Sequence, residues 1–258
     1  MISRTFARRL RARESLVGYW SQLPVPAVQE RVARHGYDYV CFDAQHGFLD
    51  YRALLDGLIA VDAGAALSKS GCAGLVRVIA NNVGVIGQAL DAGAEGVIVP
   101  LVDTPEQARA AVEACRFPPK GVRSYGPMRA SLRSGPVTAD MNDEVACVVM
   151  IETREGLANL EAIAAVEGVD GLYVGPADLM LSLGGRTAND EALADEFEAT
   201  LARIAEVAER AGIAAGIHTN EGTVAARRLA QGYTFASISS DLNHLDKAAA
   251  GHLRDARA

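Results

Sequence analysis

Eight short runs of β-forming residues recur along this 258-residue chain, each followed by a stretch rich in Ala, Leu, Glu and Arg, and few folds accommodate that alternation. The runs are Leu16–Trp20, Tyr37–Phe42, Leu75–Ile79, Gly96–Pro100, Val145–Ile151, Gly171–Val174, Ala214–His218 and Phe235–Ser239. Several are apolar throughout, as in VIV, CVVMI and FASI, which is the pattern of parallel strands buried on both faces. Eight such units in about 250 residues have the size of a closed barrel. The spacing predicts an α/β protein, one (β/α)8 TIM barrel over residues 1–258. The competing arrangement is a doubly wound open sheet, which would place a glycine-rich phosphate loop after the first strand. That strand instead runs into Ser21-Gln22-Leu23-Pro24.

Local signals agree with alternating helices. Thr104-Pro105 caps and opens a helix ending at Cys115, with Ala108, Ala111, Val112 and Cys115 on one face. Asn189 and Asp190 open a longer one reaching Gly212, along which Leu201, Ile204, Ala205 and Ala208 align. The arginine-rich start, Arg4 to Arg13, imitates a transit peptide but reads better as an amphipathic helix with Phe6 and Leu10 on its apolar side. One connection is out of proportion. Phe117–Pro136 holds seven Gly or Pro residues together with Arg123, Arg129 and Arg133, the make-up of a binding loop or lid, or of a solvated excursion.

Charge and residue counts narrow the function. With 25 basic and 32 acidic residues the net charge is −7 and the pI about 5.3, which argues against nucleic acid or an anionic membrane as partner. No apolar stretch approaches the roughly 18 residues of a membrane helix, so a cytoplasmic location is expected. Cys41, Cys72, Cys115 and Cys147 stand singly, which suggests neither a zinc cluster nor a disulfide framework. The only lysines are Lys69, Lys120 and Lys247, and none falls at an expected strand end where a Schiff-base amine could be buried.

In a barrel of this kind the chemistry collects just past the strands. The first run ends at Trp20, the second in Asp43-Ala44-Gln45-His46-Gly47, and the third carries Arg77. The fifth ends in Glu152-Thr153, the sixth in Gly175-Pro176-Ala177-Asp178, the seventh in His218-Thr219 and the eighth in Ser239-Ser240-Asp241. Glu152 and Asp178 follow adjacent strands, so two carboxylates could share one divalent ion that prefers oxygen, Mg²⁺ or Mn²⁺. Singly, each is also accounted for as a helix-start charge worth about 0.3–1 kcal/mol. His46, in a turn closed by Gly47, is a natural general base. Arg77 needs an acidic neighbour or an anionic ligand.

The segments DAQHG, LVRV, LDAGAEGVIVP, VVMIETREGL, VDGLYVGPADL and GIHT together resemble the HpcH/HpaI aldolases, class II pyruvate aldolases, from about Ser15 to Asp241. The resemblance implies a divalent-metal-dependent enzyme that reversibly cleaves a 4-hydroxy-2-keto acid to pyruvate and an aldehyde. An acyl-CoA lyase or an oxaloacetate decarboxylase of the same superfamily is the runner-up, and a non-catalytic keto-acid-binding barrel the alternative from another class. By the same resemblance Glu152 and Asp178 hold the metal, Mg²⁺, Mn²⁺ or Co²⁺, which pyruvate or its enolate chelates. His46 takes the proton of the C4 hydroxyl, and Arg77 neutralises the developing enolate oxygen. Ala177 and Asp178 receive the pyruvate carboxylate through their backbone, with Trp20 and Ser124 as further substrate contacts. A homo-oligomer is implied, a hexamer arranged as a trimer of dimers with the C-terminal helix exchanged between subunits.

Asp91 corresponds to the aspartate that raises the basicity of the family's histidine. It precedes the fourth strand and so lies near the bottom of its own barrel, more than about 10 Å from the mouth at roughly 3.3 Å per strand residue. It is therefore expected to serve His46 of a neighbouring subunit, with Asp43 as the alternative partner within the chain. Two departures stand out. Met150 replaces the glutamine common two residues before the metal glutamate, and GVRSYGPMRAS differs from the usual GVRG-type run, so Arg123, Tyr125 and Arg129 are expected to shape a different acceptor pocket.

Overall fold

The computed structural model describes residues 5–258, so Arg4 of the expected N-terminal helix lies outside the described residues. The strands are β1 (Leu16–Ser21), β2 (Tyr39–Asp43), β3 (Ala73–Arg77), β4 (Gly96–Val99), β5 (Ala146–Ile151), β6 (Gly171–Val174), β7 (Ala214–Thr219) and β8 (Phe235–Ser240). They pair in parallel in chain order, and β8 returns to β1 to close the barrel. β3 starts earlier than its apolar content suggests. Lys69, in the left-handed region at φ 57°, stops the helix Tyr51–Ser68, and the strand opens on small residues of low β-propensity. The Leu58 side chain packs over one of them, so that a Cβ on Gly74 would lie 2.4 Å from Leu58 Cδ2. Arg77 is consequently the last residue of β3, in register with Asp43 at the end of β2.

Apolar side chains form two shells. Inside the barrel, Trp20, Tyr39, Leu75, Ile98, Met150, Tyr173 and Phe235 belong to one cluster, stoppered from below by Phe6 and Leu10 of the helix Phe6–Arg11. The rings fit because their neighbours lack side chains: a Cβ on Gly18 would lie 2.1 Å from the Tyr39 ring, and one on Gly216 2.2 Å from that of Phe235. The buried hydroxyls of Tyr39 and Tyr173 both meet Ser237 Oγ, at 2.9 and 2.7 Å. The outer shell lies between the strands and the surrounding helices, among them Pro105–Cys115 and Ala194–Arg210. Thr104 and Gln107 complete a reciprocal capping box on the first of these. Asp190 caps a single 3-10 turn, Glu191–Leu193, which leads into the second.

The long connection starts at the barrel bottom, because the helix Pro105–Cys115 has already run back down before β5. It stays there: Arg123 NH2 meets Asp91 at 2.7 Å, and Arg133 NH2 meets Asp62 at 3.0 Å. It is no lid over the mouth of its own barrel. The C-terminal helix, Asp241–Asp255, buries only Asp241 and touches the barrel through pairs such as Tyr19 Oη with His244 Nδ1. Among the described residues no helix is long and apolar enough to cross a membrane.

Candidate active site

The C-terminal strand ends open into a cavity of about 620 Å³ whose lining includes Trp20, Asp43, His46, Arg77, Met150, Tyr173, Ala177, Asp178 and His218. One carboxylate organises the floor. Asp43 is fully buried, and its Oδ1 accepts from Arg77 Nε at 2.9 Å and from the His46 amide at 3.1 Å. Its Oδ2 accepts from Arg77 NH2 at 2.7 Å and from Trp20 Nε1 at 3.1 Å. Burial would push the carboxyl up, but the hydrogen bonds and charge of Arg77 outweigh it and hold Asp43 below the ordinary carboxylate range. Arg77 is held charged by the same pair, with its guanidinium carbon 5.1 Å from the Trp20 ring centre.

Glu152 lies just past β5, almost wholly buried, with Oε1 accepting from the Leu101 amide at 2.8 Å. Leu101 takes φ 54°, a left-handed conformation costing of order 1–3 kcal/mol for a non-glycine residue, at the point where its amide meets this carboxylate. Opposite is Gly175, where a Cβ would sit 2.6 Å from Glu152 Oε2. Burial raises the Glu152 pKa to about 7, the Leu101 bond opposes the rise, and the negative charge of Asp178 adds to it. Asp178 is exposed in the first turn of the helix Pro176–Ser182. Two like charges near one another, one of them in a cradle that admits no side chain from Gly175, suit a divalent cation with oxygen ligands. The pair is not a closed cage: among the described residues no group of three or more His, Cys, Asp and Glu side chains converges to hold an ion.

His46 is exposed at the rim, and only its backbone is bonded to Asp43; its ring has no hydrogen-bond partner among the described residues. Ala177 is exposed beside Asp178, and both precede the first intrahelical bond, from the Leu179 amide to the Gly175 carbonyl, so their own amides are unused by the helix. Asp91 and Ser124 are not part of this mouth. Asp91 ends the helix Val83–Asp91 at the barrel bottom, paired with buried Arg123, and Ser124 adjoins that pair. The three lysines are exposed and line no part of the cavity, and all four cysteines are buried thiols.

Two residues of the mouth carry more of its geometry than spacing alone conveys. Asp43 was readable only as a possible partner of His46, yet its main bond is to Arg77, a cross-strand register contact. His218 lies on the inner face of β7, edge-on to Trp20 at 5.1 Å between ring centres. The signal was its spacing of two from Gly216, which puts it on the same face.

The chain matches the family described as HpcH/HpaI aldolase/citrate lyase over residues 16–248. It is 39% identical over 247 residues to a hydroxypyruvate/pyruvate aldolase of Rhizorhabdus wittichii, covering 95% of each chain. It is 36% identical to a 4-hydroxy-2-oxovalerate aldolase of Rhodococcus jostii, covering 94% of this chain and 92% of the relative. Among solved structures, an HpcH/HpaI aldolase/citrate lyase family protein from Burkholderia cenocepacia superposes with a TM-score of 0.87 at 32% identity, covering 98% of each chain.

Proposed function

This chain is an aldolase that belongs to the HpcH/HpaI aldolase/citrate lyase family, and from that premise we propose that it is a class II enzyme cleaving 4-hydroxy-2-keto acids reversibly to pyruvate and an aldehyde. The observation that carries the reading is that the Asp178 carboxylate, His46 and the Asp43-bound Arg77 guanidinium line one mouth that contains no lysine, with the Glu152 carboxylate buried within electrostatic reach of Asp178 and Arg77. Relatives named hydroxypyruvate/pyruvate aldolase and 4-hydroxy-2-oxovalerate aldolase support the substrate class.

Glu152 and Asp178 would hold the divalent ion, Mg²⁺, Mn²⁺ or Co²⁺, which would polarise the 2-keto oxygen as a Lewis acid. The amides of Ala177 and Asp178, left unused by the helix, receive the C1 carboxylate. His46, free of other bonds at the rim, takes the proton from the C4 hydroxyl as the C3–C4 bond breaks, and returns one in the synthetic direction. Cleavage leaves the electron pair of that bond as an enolate. Arg77, fixed in orientation by both oxygens of Asp43, presents a permanent positive charge toward the developing enolate oxygen. Trp20 packs beneath it.

The reading includes an assembly, a hexamer built as a trimer of dimers, in which Asp91 and Ser124 of one subunit reach the mouth of the next. Unpartnered apolar side chains at both ends of the barrel support it: Phe48, Tyr51, Ile79 and Val83 follow the ends of β2 and β3, while Met128 and Leu132, 84% and 83% exposed, crown the connection at the bottom. Exchange of the C-terminal helix is supported by how little of it its own barrel buries.

The test is an assay of pyruvate release coupled to lactate dehydrogenase, with 4-hydroxy-2-oxovalerate as substrate. Signal that disappears in EDTA and returns with Mn²⁺ is expected. Borohydride trapping of pyruvate on the protein would overturn the metal-dependent route.

A further inference from the structure

The polar groups on the floor of the mouth are nearly all committed to one another. Trp20 Nε1 donates to Asp43, Tyr173 Oη donates to Ser237, and both Asp43 oxygens take Arg77. Met150, also in the lining, is apolar. His218 is the exception. Its Nδ1 is shut away from solvent with no partner among the described residues, and Nε2, equally without a partner, is the ring nitrogen left open to the cavity. The ring is edge-on against Trp20 at 5.1 Å, and Trp20 is itself held by its Nε1 bond to Asp43 and by the Arg77 guanidinium over its ring.

Its chemistry follows from that setting. Burial, joined by the nearby Arg77 charge and only partly offset by Asp43, pushes the imidazole pKa down to about 4, so the ring is neutral near pH 7. A neutral imidazole carries one proton. A buried N–H without an acceptor is rarer and more costly than a buried lone pair without a donor, so the proton belongs on Nε2 and the bare lone pair on Nδ1. His218 thus offers the cavity a single uncharged donor near the charged Arg77 and against the apolar face of Trp20.

We propose that His218 is a specificity-determining residue whose Nε2–H binds a hydroxyl oxygen adjacent to the reacting carbonyl of the substrate, so that the enzyme selects α-hydroxylated over deoxy substrates. The proposal rests on the aldolase reading above for the reacting carbonyl, while the donor itself is a property of the mouth. The hydroxyl can come from either reaction partner: from the keto acid, as in hydroxypyruvate against pyruvate, or from the aldehyde, as in glycolaldehyde against acetaldehyde. A site made to bond a hydroxyl discriminates strongly against the analogue lacking it, because the donor is then left unpaired.

The experiment compares the wild type with His218→Leu and His218→Gln. For each, the ratio of kcat/KM for hydroxylated over deoxy substrate is measured in two arms, one varying the keto acid with a common aldehyde, the other varying the aldehyde with pyruvate. The expected result is that His218→Leu lowers the ratio about tenfold or more in one arm, which identifies the source of the hydroxyl, and that His218→Gln, with an amide N–H at similar reach, recovers most of it. Ratios unmoved in both arms overturn the proposal. Trp20 is the only tryptophan, and its contact with His218 gives an independent reading by fluorescence titration with hydroxypyruvate and with pyruvate in the presence of Mn²⁺. Should the wild type catalyse no aldol reaction, the aldolase reading fails while the titration still decides the role of His218. The same titration is run with glycolaldehyde and with acetaldehyde in the presence of pyruvate: a preference for the hydroxylated member of either pair that His218→Leu removes supports the proposal, and equal affinities within both pairs, or a preference unchanged by the variant, overturn it.

Discussion

Arg77 and Asp43 meet through two parallel hydrogen bonds, Nε to Oδ1 at 2.9 Å and NH2 to Oδ2 at 2.7 Å, at register-matched ends of adjacent strands. The pairing answers two requirements at once. A cation nine-tenths buried gains the partner it needs, and its planar fork is turned in one direction rather than left to sample several. A charge that must meet an oxyanion as it develops is useful only if it is oriented beforehand.

Asp43→Asn should therefore impair catalysis through Arg77. The amide offers one acceptor where two were used and leaves a guanidinium with little compensation, so kcat should fall by about 10²-fold and stability by roughly 3 kcal/mol. Steady-state kinetics and urea unfolding check the two effects. Because the folded-state pKa of Asp43 is depressed, its contribution to stability is complete above the unfolded value near 4 and is lost as pH falls through the lower folded value. Asp43→Asn should flatten that acid limb.

Glu152 has the opposite sign. Its folded pKa is raised from 4.5 to about 7, so the metal-free folded protein binds the proton more tightly than the unfolded chain does. Stability in EDTA should decline between pH 4.5 and 7, by roughly 3 kcal/mol at about 1.36 kcal/mol per unit, and level off above. Glu152→Gln should abolish the decline, read from urea midpoints at pH 5 and 8. In the wild type, Mn²⁺ affinity measured calorimetrically should weaken by about tenfold per unit below pH 7, since one proton competes with the ion.

His46→Asn should lower kcat by about 10²- to 10⁴-fold while leaving unfolding midpoints and Mn²⁺ affinity close to those of the wild type. The ring bonds to nothing within the described chain, and surface substitutions of that kind shift stability by less than about 0.5 kcal/mol. A large stability loss would show that the ring has a structural partner instead.

If Asp91 acts on His46 of a neighbouring subunit, defects in the two residues complement each other. His46→Ala and Asp91→Asn proteins, each inactive or weakly active alone, should regain activity when co-expressed or mixed under conditions of subunit exchange. Mixtures no more active than the average of the parents would confine Asp91 to its pair with Arg123.

The barrel was legible because its signals are local and repeated: an apolar run recurs with each unit, first-turn prolines open the helices at Pro26, Pro105 and Pro176, caps such as Thr104 mark others, and every strand lies where such a run occurs. What sequence order conveys less well is register. That Arg77 lies directly across from Asp43 depends on the pairing of β3 with β2 beginning at Ala73 opposite Tyr39, two small residues before the apolar run, which β-propensity does not convey. The clustering of Glu152 and Asp178 followed from strand adjacency, but the need for glycine at position 175 emerges only from the approach of the Glu152 carboxylate. The connection Phe117–Pro136 shows the same limit. Its composition spoke of a binding loop without saying at which end of the barrel, and the ion pairs of Arg123 and Arg133 hold it at the bottom.

Exchange of the pyruvate methyl protons for deuterium, followed by ¹H NMR, tests enolate formation without requiring the aldehyde to be known. Wild-type protein with Mg²⁺ should wash out the methyl signal, whereas protein in EDTA, or the Glu152→Gln variant with Mg²⁺, should leave it intact. Exchange that persists undiminished in EDTA, or that never occurs with the metal-loaded wild type, would contradict the account.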